Sequence, residues 1–210
     1  MTLAFARMGS TAAAIQPAAA GQSTDETLIE RIARGDQLAM LTLFARHRLR
    51  VYRFMVRMTR DEPLAEELLS DVFFDVWRQA AQFEGRAAVS TWLLAIARFK
   101  ALSALRRRTD LELDDEMAAA IVDPADDPEV ALQRKDGAET LRQCLIKLSP
   151  AHAEIIDLVY YHGKSVKEVA EIVGISDATV KTRMFYARKK LAQLVMRYRP
   201  GVRSCTNWSI

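Results

Sequence analysis

The sequence predicts an all-α protein made of two small helical domains that are joined by a flexible acidic linker. Apolar residues recur at helical spacing along most of the chain, and no segment shows the strict alternation of a half-buried strand. Residues that typically start and stop helices stand between these periodic segments. The length of 210 residues, half of them hydrophobic, suits one or two globular domains.

The N-terminal domain begins with two predicted helices. Ser23 and Glu26 have the spacing of a capping box, and they precede a short helix that ends at Gly35. Asp36 is then expected to cap a long helix that reaches about Met58. The apolar residues of this long helix that lie near helical spacing are Leu41, Phe44, Tyr52, Met55 and Val56.

Two further helices complete the N-terminal domain. Asp61 caps the third, with Pro63 in its first turn, and its apolar stripe is Leu64, Leu68, Leu69, Val72, Phe73, Val76 and Trp77. After a loop at 82–89, Ser90 is expected to cap a fourth helix over 91–108, with a core stripe of Trp92, Ile96, Phe99, Leu102 and Leu105. Its cations form either a solvated face or a phosphate-binding face, and they are Arg98, Lys100, Arg106, Arg107 and Arg108. Aromatic rings among cations beside a loop are also typical of a platform for single-stranded nucleic acid.

Charge is distributed unevenly along the chain. Residues 1–108 hold 16 Lys/Arg and 11 Asp/Glu, residues 109–136 hold 2 and 10, and residues 137–210 hold 12 and 6. The net charges are therefore +5, −8 and +6, an asymmetry that indicates a nucleic-acid partner. The acidic segment contains "DPADDPE" at 123–129, whose prolines disfavour a helix, so we interpret 109–136 as a linker. On its charge alone, a solvated spacer is the better interpretation of this segment.

The C-terminal domain is also predicted to be helical. Leu141, Cys144, Leu145 and Leu148 share one face of its first helix. Ser149 and Pro150 then begin a helix that Gly163 ends, with Ile155, Ile156, Val159 and Tyr160 as its apolar residues. Ser165 and Glu168 have capping-box spacing before the next helix. A turn at Gly174–Ile175 separates this helix from the last one, which Ser176 caps, so the pair is predicted to be a helix-turn-helix.

The last helix has one apolar side and one side suited to DNA. At about 100° per residue, its buried side is predicted to be Val180, Met184, Ala187 and Leu191. Phe185 and Tyr186 then lie on opposite flanks and cannot both be core, although either ring could pack on the preceding helix. The N-terminal half of such a helix faces base edges in the major groove.

The polar residues of this helix suggest specific DNA contacts. Lys181 can hydrogen-bond guanine, Thr182 can bond either base type, and Phe185 can touch a thymine methyl group. The residues expected to contact phosphates are Ser176 and Thr179 at the helix start and Arg183, Arg188, Lys189 and Lys190 along it.

The sequence does not suggest an enzyme, a metal-binding protein or a membrane protein. Cys144 and Cys205 lack zinc or redox spacing, and His47, His152 and His162 share no metal spacing with them. No Gly-rich phosphate loop or nucleophile motif occurs, so we expect no enzyme, no metal and no cofactor. No run of 18 apolar residues occurs, so we expect a cytoplasmic protein without membrane insertion.

The chain resembles an extracytoplasmic-function (ECF) sigma factor of bacterial RNA polymerase over about residues 25–195. The stretches that carry the resemblance are "EELLSDVFFDVWR" (66–78), "STWLLAIARFKALSALRRR" (90–108) and "LSPAHAEIIDLVYYHGKSVKEVAEIVGISDATVKTRMFYARKKL" (148–191). The resemblance implies that 25–108 is sigma region 2, which binds core polymerase and opens the −10 element. It implies that 137–195 is sigma region 4, which reads the −35 element and binds the β flap. The resemblance implies that the acidic linker follows the path of nascent RNA. The composition of residues 1–24 predicts a disordered N-terminal tail, because their Ala, Gly, Gln and Thr make a poor apolar core for a signal peptide. Residues 196–210 are predicted to be a C-terminal tail.

The resemblance also implies roles for individual residues. The −35 bases are expected to meet Lys181, Thr182, Phe185 and Tyr186. Residues expected to dock on the β′ coiled coil are Glu67, Asp71, Phe74, Asp75 and Arg78. The loop from Phe83 to Val89 matches the one that captures a flipped −10 base, and −10 recognition and melting are expected to involve Phe83, Trp92, Arg98, Phe99, Lys100 and Arg106. Besides polymerase and promoter DNA, an anti-sigma factor is an expected partner.

Three residues depart from the common family pattern. Ser70 stands where Gln is usual, Tyr186 where Arg is common, and Phe99 where Asn would contact the −10 base. Two other functions remain open at this point. One is a dimeric helix-turn-helix regulator, which would need a sensor domain that the N-terminal half does not suggest. The other is a protein that sequesters a partner through the apolar helix at 62–80, which would not need Lys181 or Thr182.

Overall fold

A computed structural model describes residues 23–112 and 135–198 of the chain, and the described part consists of helices joined by turns and loops, with no strand. The N-terminal domain comprises α1 (Asp25–Ala33), α2 (Gln37–Thr59), α3 (Glu62–Gln79), a one-turn 3₁₀ helix (Ala80–Gln82) and α4 (Val89–Glu112). The C-terminal domain comprises α5 (Lys135–Ile146), α6 (Pro150–Ile156), a π-helical turn (Asp157–Tyr161), α7 (Val166–Val173) and α8 (Asp177–Tyr198). The all-α prediction is therefore confirmed for the described residues.

The starts of the first three helices follow local capping chemistry. Asp36 and Asp61 cap α2 and α3 as predicted, because each carboxylate accepts a backbone N–H from the first turn of its helix. The prediction for α1 is one residue off. Thr24, not Ser23, is the N-cap, since Thr24 has extended backbone dihedrals and its hydroxyl accepts the Thr27 N–H.

Helix α4 starts earlier and ends later than the sequence predicts. It begins at Val89, so Ser90 lies inside the first turn and is not the N-cap. The N–H groups of Thr91 and Trp92 bond the carbonyl of Ala88. The hydroxyl of Ser90 instead accepts a hydrogen bond from Lys164 of the other domain. At its far end α4 continues to Glu112, into the segment predicted to be linker.

The buried face of α4 is rotated from the predicted one. The prediction for α2 is confirmed for Phe44, Tyr52, Met55 and Val56 and is wrong only for Leu41. Leu41 is 64% exposed and Phe99 is 70% exposed, and Leu102 is also on the surface. The core positions of the two helices are Ala39, Leu43, Val51, Phe54, Met55 and Val56 in α2 and Val89, Leu93, Leu94, Ala97 and Ala101 in α4. Helix α4 has apolar residues on nearly all sides, so its own sequence does not define which side its neighbours cover.

The C-terminal domain confirms two predicted helix boundaries and changes a third. Ser165 and Glu168 form a complete capping box at the start of α7. Gly174 has φ +72° and ends α7 in the left-handed conformation that glycine adopts without strain. The helix predicted to run to Gly163 becomes α6 followed by the π turn, whose hydrogen bond joins His162 N–H to the Asp157 carbonyl at 3.1 Å.

The two domains pack directly against each other. Helix α7 lies against α4, and buried residues of both domains, among them Leu93 and Val169, belong to one continuous apolar cluster. A second, smaller cluster is internal to the C-terminal domain and contains Cys144, Leu148, Ile156, Ala187 and Leu194. The predicted linker runs between these domains, and its residues 113–134 lie outside the described part, as do the tail residues 1–22 and 199–210.

Candidate nucleic-acid interface

Helix α8 buries the side that the sequence predicts. Val180 and Ala187 are fully buried and Met184 is 8% exposed, while Leu191 is half-buried against the second cluster. The opposite side is open, with Lys181 and Thr182 both exposed near the helix start. The helix therefore presents one polar surface along the length that a major groove would cover.

The adjacent aromatic rings of α8 are both on the surface. Phe185 is 62% exposed and Tyr186 is 53% exposed. The rings contact each other edge-to-face, with centroids 5.4 Å apart. The prediction that the pair cannot both be core is confirmed, and two large exposed rings beside cations form a surface suited to base edges and methyl groups.

Hydroxyl groups at the start of α8 have defined hydrogen-bond roles. The Ser176 oxygen accepts the Thr179 N–H at 3.2 Å, and the two hydroxyls lie 2.9 Å apart. Thr182 donates its hydroxyl proton to the carbonyl of Ala178 at 2.9 Å. Because that proton is engaged, Thr182 is left to act as an acceptor, which suits the amino group of cytosine or adenine.

The cations of α8 do not all face the same way. Lys189 and Lys190 are exposed, and Arg183 is half-buried. Arg188, predicted to contact phosphate, donates from Nε to the hydroxyl of Tyr160 at 2.8 Å and lies over that ring. The structure thus places Arg188 between α8 and the π turn.

A basic groove beside α8 was not predicted from the sequence. It has a volume of about 480 Å³ and is lined by Lys147, Ser149, His152, Tyr186, Lys189, Lys190 and Gln193. The sequence contains no compact motif for it, because its lining residues come from the α5–α6 connection and from a helix about 40 residues later. Its cations extend the positive surface of α8 toward the start of α6.

The N-terminal domain has an aromatic groove next to the loop between α3 and α4. Phe83 and Trp92 lie with ring centroids 4.9 Å apart at an angle of 42°. The groove has a volume of about 230 Å³, and its wall consists of Gln82, Phe83, Glu84, Gly85, Arg86, Ala87, Thr91, Trp92, Ala95 and, from α7, Glu171. The structure therefore brings the predicted loop and Trp92 together.

The cations of α4 predicted for the −10 element are divided among several environments. Arg98 pairs with Glu154 of α6, Nε to Oε1 at 2.6 Å. Lys100 pairs with Asp75 of α3 at 2.8 Å, and Arg106 is exposed near the far end of the helix. Phe99 is largely exposed beside them. Two of the three cations thus have protein carboxylates as partners.

One face of α3 carries the residues predicted to dock on polymerase. Glu67, Asp71, Phe74 and Arg78 are exposed, and Phe74 is 60% accessible. The Arg78 guanidinium lies over the Phe74 ring, 5.7 Å from its centroid. Asp75 lies on the same side of the helix but is engaged with Lys100. The opposite side of α3 is core, with Val72 and Val76 fully buried.

A buried lysine that sequence analysis missed joins the domains. The ammonium of Lys164 donates to the Ser90 hydroxyl at 2.7 Å, the Thr91 hydroxyl at 2.8 Å and the Glu168 carboxylate at 2.9 Å. Burial alone would raise the pKa of Glu168, but hydrogen bonds from Ser165, Lys164 and Thr91 outweigh it and lower that pKa to about 2. The lysine completes its three hydrogen bonds only with the other domain present.

Among the described residues, no cluster of three His, Cys, Asp or Glu side chains could hold a metal ion. The part of the chain that the structure describes also contains no helix long and apolar enough to cross a membrane. The arrangement is instead that of a DNA-binding protein: a helix-turn-helix with an exposed aromatic and basic face, packed on a helical domain with an aromatic groove and an exposed, mostly acidic face on α3.

Comparison with known proteins defines the family. The model for Sigma-70 region 2 matches residues 43–110, and the model for Sigma-70, region 4 matches residues 138–191. The ECF RNA polymerase sigma factor SigK of Mycobacterium bovis (strain BCG / Pasteur 1173P2) is 30% identical over 169 residues, which are 79% of this chain and 90% of SigK. SigK of Mycobacterium sp. (strain KMS) is 31% identical over 162 residues, 76% of this chain and 84% of that relative.

The chain belongs to the family of ECF sigma factors of RNA polymerase. It is an alternative sigma factor, which directs RNA polymerase to a subset of promoters and initiates transcription there. The resemblance derived from the three sequence stretches is therefore confirmed.

Solved structures show the same fold. The sigma factor RpoE in complex with the anti-sigma factor NepR from Bartonella quintana has a TM-score of 0.63 at 24% identity, covering 74% of this chain and 96% of RpoE. CnrH in complex with the cytosolic domain of CnrY has a TM-score of 0.60 at 25% identity, covering 83% of this chain and 99% of CnrH. The helical architecture thus has counterparts among sigma factors.

Proposed function

We propose that the two domains divide promoter recognition between them, with the C-terminal domain reading the −35 element and the N-terminal domain binding core polymerase and the −10 element. The observation that carries this proposal is the exposed polar side of α8, where Lys181, Thr182 and Phe185 stand clear of the core. A sequestering protein that acts through α3 alone would not need that surface. The chain would contribute no catalytic chemistry of its own.

At the −35 element, contacts to base edges would provide sequence specificity, and contacts to phosphates would position the domain on the DNA. Lys181 would donate to guanine, Thr182 would accept from an amino group, and Phe185 would contact a thymine methyl group. Tyr186 adjoins Phe185 and reaches the basic groove, so its hydroxyl is suited to the DNA backbone or to a flanking base. The phosphate contacts would come from Ser176, Thr179, Arg183, Lys189 and Lys190, and from Arg188 once it leaves Tyr160.

At the −10 element, the aromatic groove between Phe83 and Trp92 would receive an unstacked base. Flipping a base costs a few kcal/mol, and stacking on aromatic rings offsets about 1–3 kcal/mol per base. Phe99 and Arg106, both exposed on α4, would lie along the strand that leaves the groove. Arg98 and Lys100 would add charge after exchanging their present carboxylate partners for phosphates.

Core polymerase would be bound mainly by α3. Its exposed face of Glu67, Asp71, Phe74 and Arg78, with Asp75 beside it, combines one aromatic anchor with charges, as protein interfaces commonly do. The β′ coiled coil is the proposed partner of this face, and the β flap that of the C-terminal domain. The acidic linker at 109–136, mostly outside the described residues, would follow a basic channel of polymerase.

An anti-sigma factor is the proposed regulator of this chain. Among the solved structures with this fold, the sigma factor RpoE is in complex with the anti-sigma factor NepR, and CnrH is in complex with the cytosolic domain of CnrY. A partner that covers α3 and α8 together would block polymerase and DNA at once. Release in response to stress or another signal would then switch on the promoter subset.

Run-off transcription with core polymerase tests the proposed function. We expect promoter-dependent transcripts only when the chain is present, and loss of those transcripts with Lys181→Ala or Phe74→Ala, while each variant keeps its helical circular-dichroism spectrum. Tight dimeric binding to promoter DNA without polymerase, and no stimulation of transcription on any active-gene template, would instead establish the helix-turn-helix regulator. Retained activity of Lys181→Ala at every promoter would contradict the −35 assignment.

A further inference from the structure

The basic groove beside α8 is continuous with the surface of that helix that is proposed to read bases. Thr182, Tyr186 and Lys190 follow one another at intervals of four residues and are all exposed, so they form one stripe along the helix. Gln193 continues this stripe into the groove, and the Phe185 ring contacts the Tyr186 ring edge-to-face. The base-reading end of α8 and the groove are therefore parts of a single surface.

The groove lies at the distance from the base-reading residues at which a recognition helix leaves the DNA major groove. At 1.5 Å per residue, Gln193 is about 16 Å further along the helix axis than Thr182. The major groove of B-DNA is about 12 Å wide. When the start of α8 meets base edges, its second half therefore lies against the sugar-phosphate backbone that borders the major groove.

The cations of the groove have no carboxylates beside them in its lining. Lys189 and Lys190 are exposed on the α8 wall, and Lys147 is exposed on the other wall. Among the described residues, neither Lys189 nor Lys190 has a carboxylate partner, whereas Lys100 and Lys164 each pair with one. The described residues that line the groove include no Asp or Glu, whereas the wall of the aromatic groove includes two glutamates. A negatively charged ligand is therefore the partner that this lining favours.

The wall opposite α8 adds hydrogen-bonding groups to the lysines. Ser149 is the N-cap of α6, but its hydroxyl makes no hydrogen bond to the first turn of that helix. The hydroxyls of Thr24, Ser165 and Ser176, by comparison, each accept a first-turn N–H of the helix that they precede. His152, half-buried in the first turn of α6, also lines the groove and can donate an N–H. Hydroxyl groups beside lysines are common contacts to DNA phosphates.

We propose that the basic groove is a second DNA contact of the C-terminal domain, which holds the sugar-phosphate backbone on one flank of the −35 element. Lys147 and His152 contact phosphates from the side opposite Lys189 and Lys190, so that the backbone lies between α8 and the start of α6. Because the contacts are to phosphates, they add affinity at every promoter and no base preference. This inference deepens the proposed −35 function and rests on it.

Replacing single phosphates by neutral methylphosphonates tests the assignment. The chain, with saturating core polymerase, binds a duplex from a promoter that is active in run-off transcription, and each phosphate of the −35 element and its two flanks is replaced in turn. On the unmodified duplex, we expect Lys147→Gln to weaken binding about tenfold, the loss of one charge-assisted hydrogen bond, and to lower the salt slope by about 1. On the duplex that lacks the contacted charge, the same variant should bind within about twofold of the parent chain.

A second variant and a control complete the experiment. His152→Ala should lose its effect at the same flanking phosphate as Lys147→Gln or at the next one. Arg34→Gln removes an exposed cation of the N-terminal domain and should change affinity by less than about twofold on every duplex.

The outcomes separate the groove from the base-reading function. If neither Lys147→Gln nor His152→Ala loses its effect at any phosphate, while Lys181→Ala still alters base preference, the groove proposal is overturned and the −35 reading stands. If both variants lose their effect at a flanking phosphate while Lys181→Ala changes no base preference, the groove is supported as a backbone site and the −35 reading fails.

Discussion

Replacing Lys164 by methionine is expected to destabilise the protein, because it removes a buried charge from the domain interface. The lysine side chain is 5% exposed, and its three N–H donors are used by Ser90, Thr91 and Glu168. Methionine has nearly the same length and fills the same space. The change therefore removes the charge and the donors while it keeps the packing.

The size of the effect follows from what the substitution leaves behind. Removing one partner of a buried ion pair costs about 3–5 kcal/mol when the other charge is left without compensation. Glu168 is 30% exposed and keeps hydrogen bonds from Thr91 and Ser165, so the expected cost is lower, about 2–3 kcal/mol. For a chain of this length, that corresponds to a decrease in melting temperature of about 5–10 °C.

Urea unfolding followed by circular dichroism measures the change, with Lys167→Met as the matched control. Lys167 is an exposed lysine of the same segment, so its substitution should alter the free energy of unfolding by no more than about 0.5 kcal/mol. If the two variants unfold at the same urea concentration, Lys164 does not hold the interface and the reasoning about its hydrogen bonds is refuted.

Three further outcomes are expected. Phe185→Ala should leave the free energy of unfolding within about 0.5 kcal/mol, because the ring is 62% exposed, yet reduce the preference for thymine over uracil at one −35 position; a sharp decrease in melting temperature would show instead that the ring is core. Lys181→Ala should cost about 1–3 kcal/mol at a single base position, whereas Lys189→Ala should weaken binding to all sequences and lower the salt slope by about 1. Because the pKa of Glu168 is lowered from 4.5 to about 2, its stabilising contribution is complete above 4.5 and is lost as pH falls toward 2. Glu168→Gln should therefore flatten the acid limb of the unfolding free energy, and an unaltered limb would contradict that assignment.

Many of the helix boundaries of this protein could be predicted from the sequence, because they depend on neighbouring residues. Caps at Asp36, Asp61 and Ser165 and the turn at Gly174 were predictable because each depends on atoms within three or four residues. The buried face of α8 was predictable for a similar reason. Its apolar residues occupy one side of the helix, and its charges occupy the other.

The buried face of α4 and the exposure of Leu41 in α2 were not predictable in this way. Leu41 and Phe99 have the hydrophobicity of core residues, yet the neighbouring helices cover other sides of α2 and α4. Whether a residue is buried depends on which side of its helix the neighbouring helices cover. Helix α4 has apolar residues on several sides, so its own sequence does not show which side that is. Ser90 is a related case, because its hydroxyl bonds Lys164 of the other domain and does not cap the helix whose first turn contains it.

The sequence by itself determined the helical class, the helix-turn-helix and, through three characteristic stretches, the family. Only the tertiary structure decided how the two domains face each other and which charges pair between them. The bonds Glu154–Arg98 and Glu168–Thr91 join residues 56 and 77 positions apart, and Lys164 reaches Ser90 across 74. The neighbouring residues in the sequence do not identify such partners. Two distant charged side chains come together only when whole helices pack, and that packing exists only after the chain has folded.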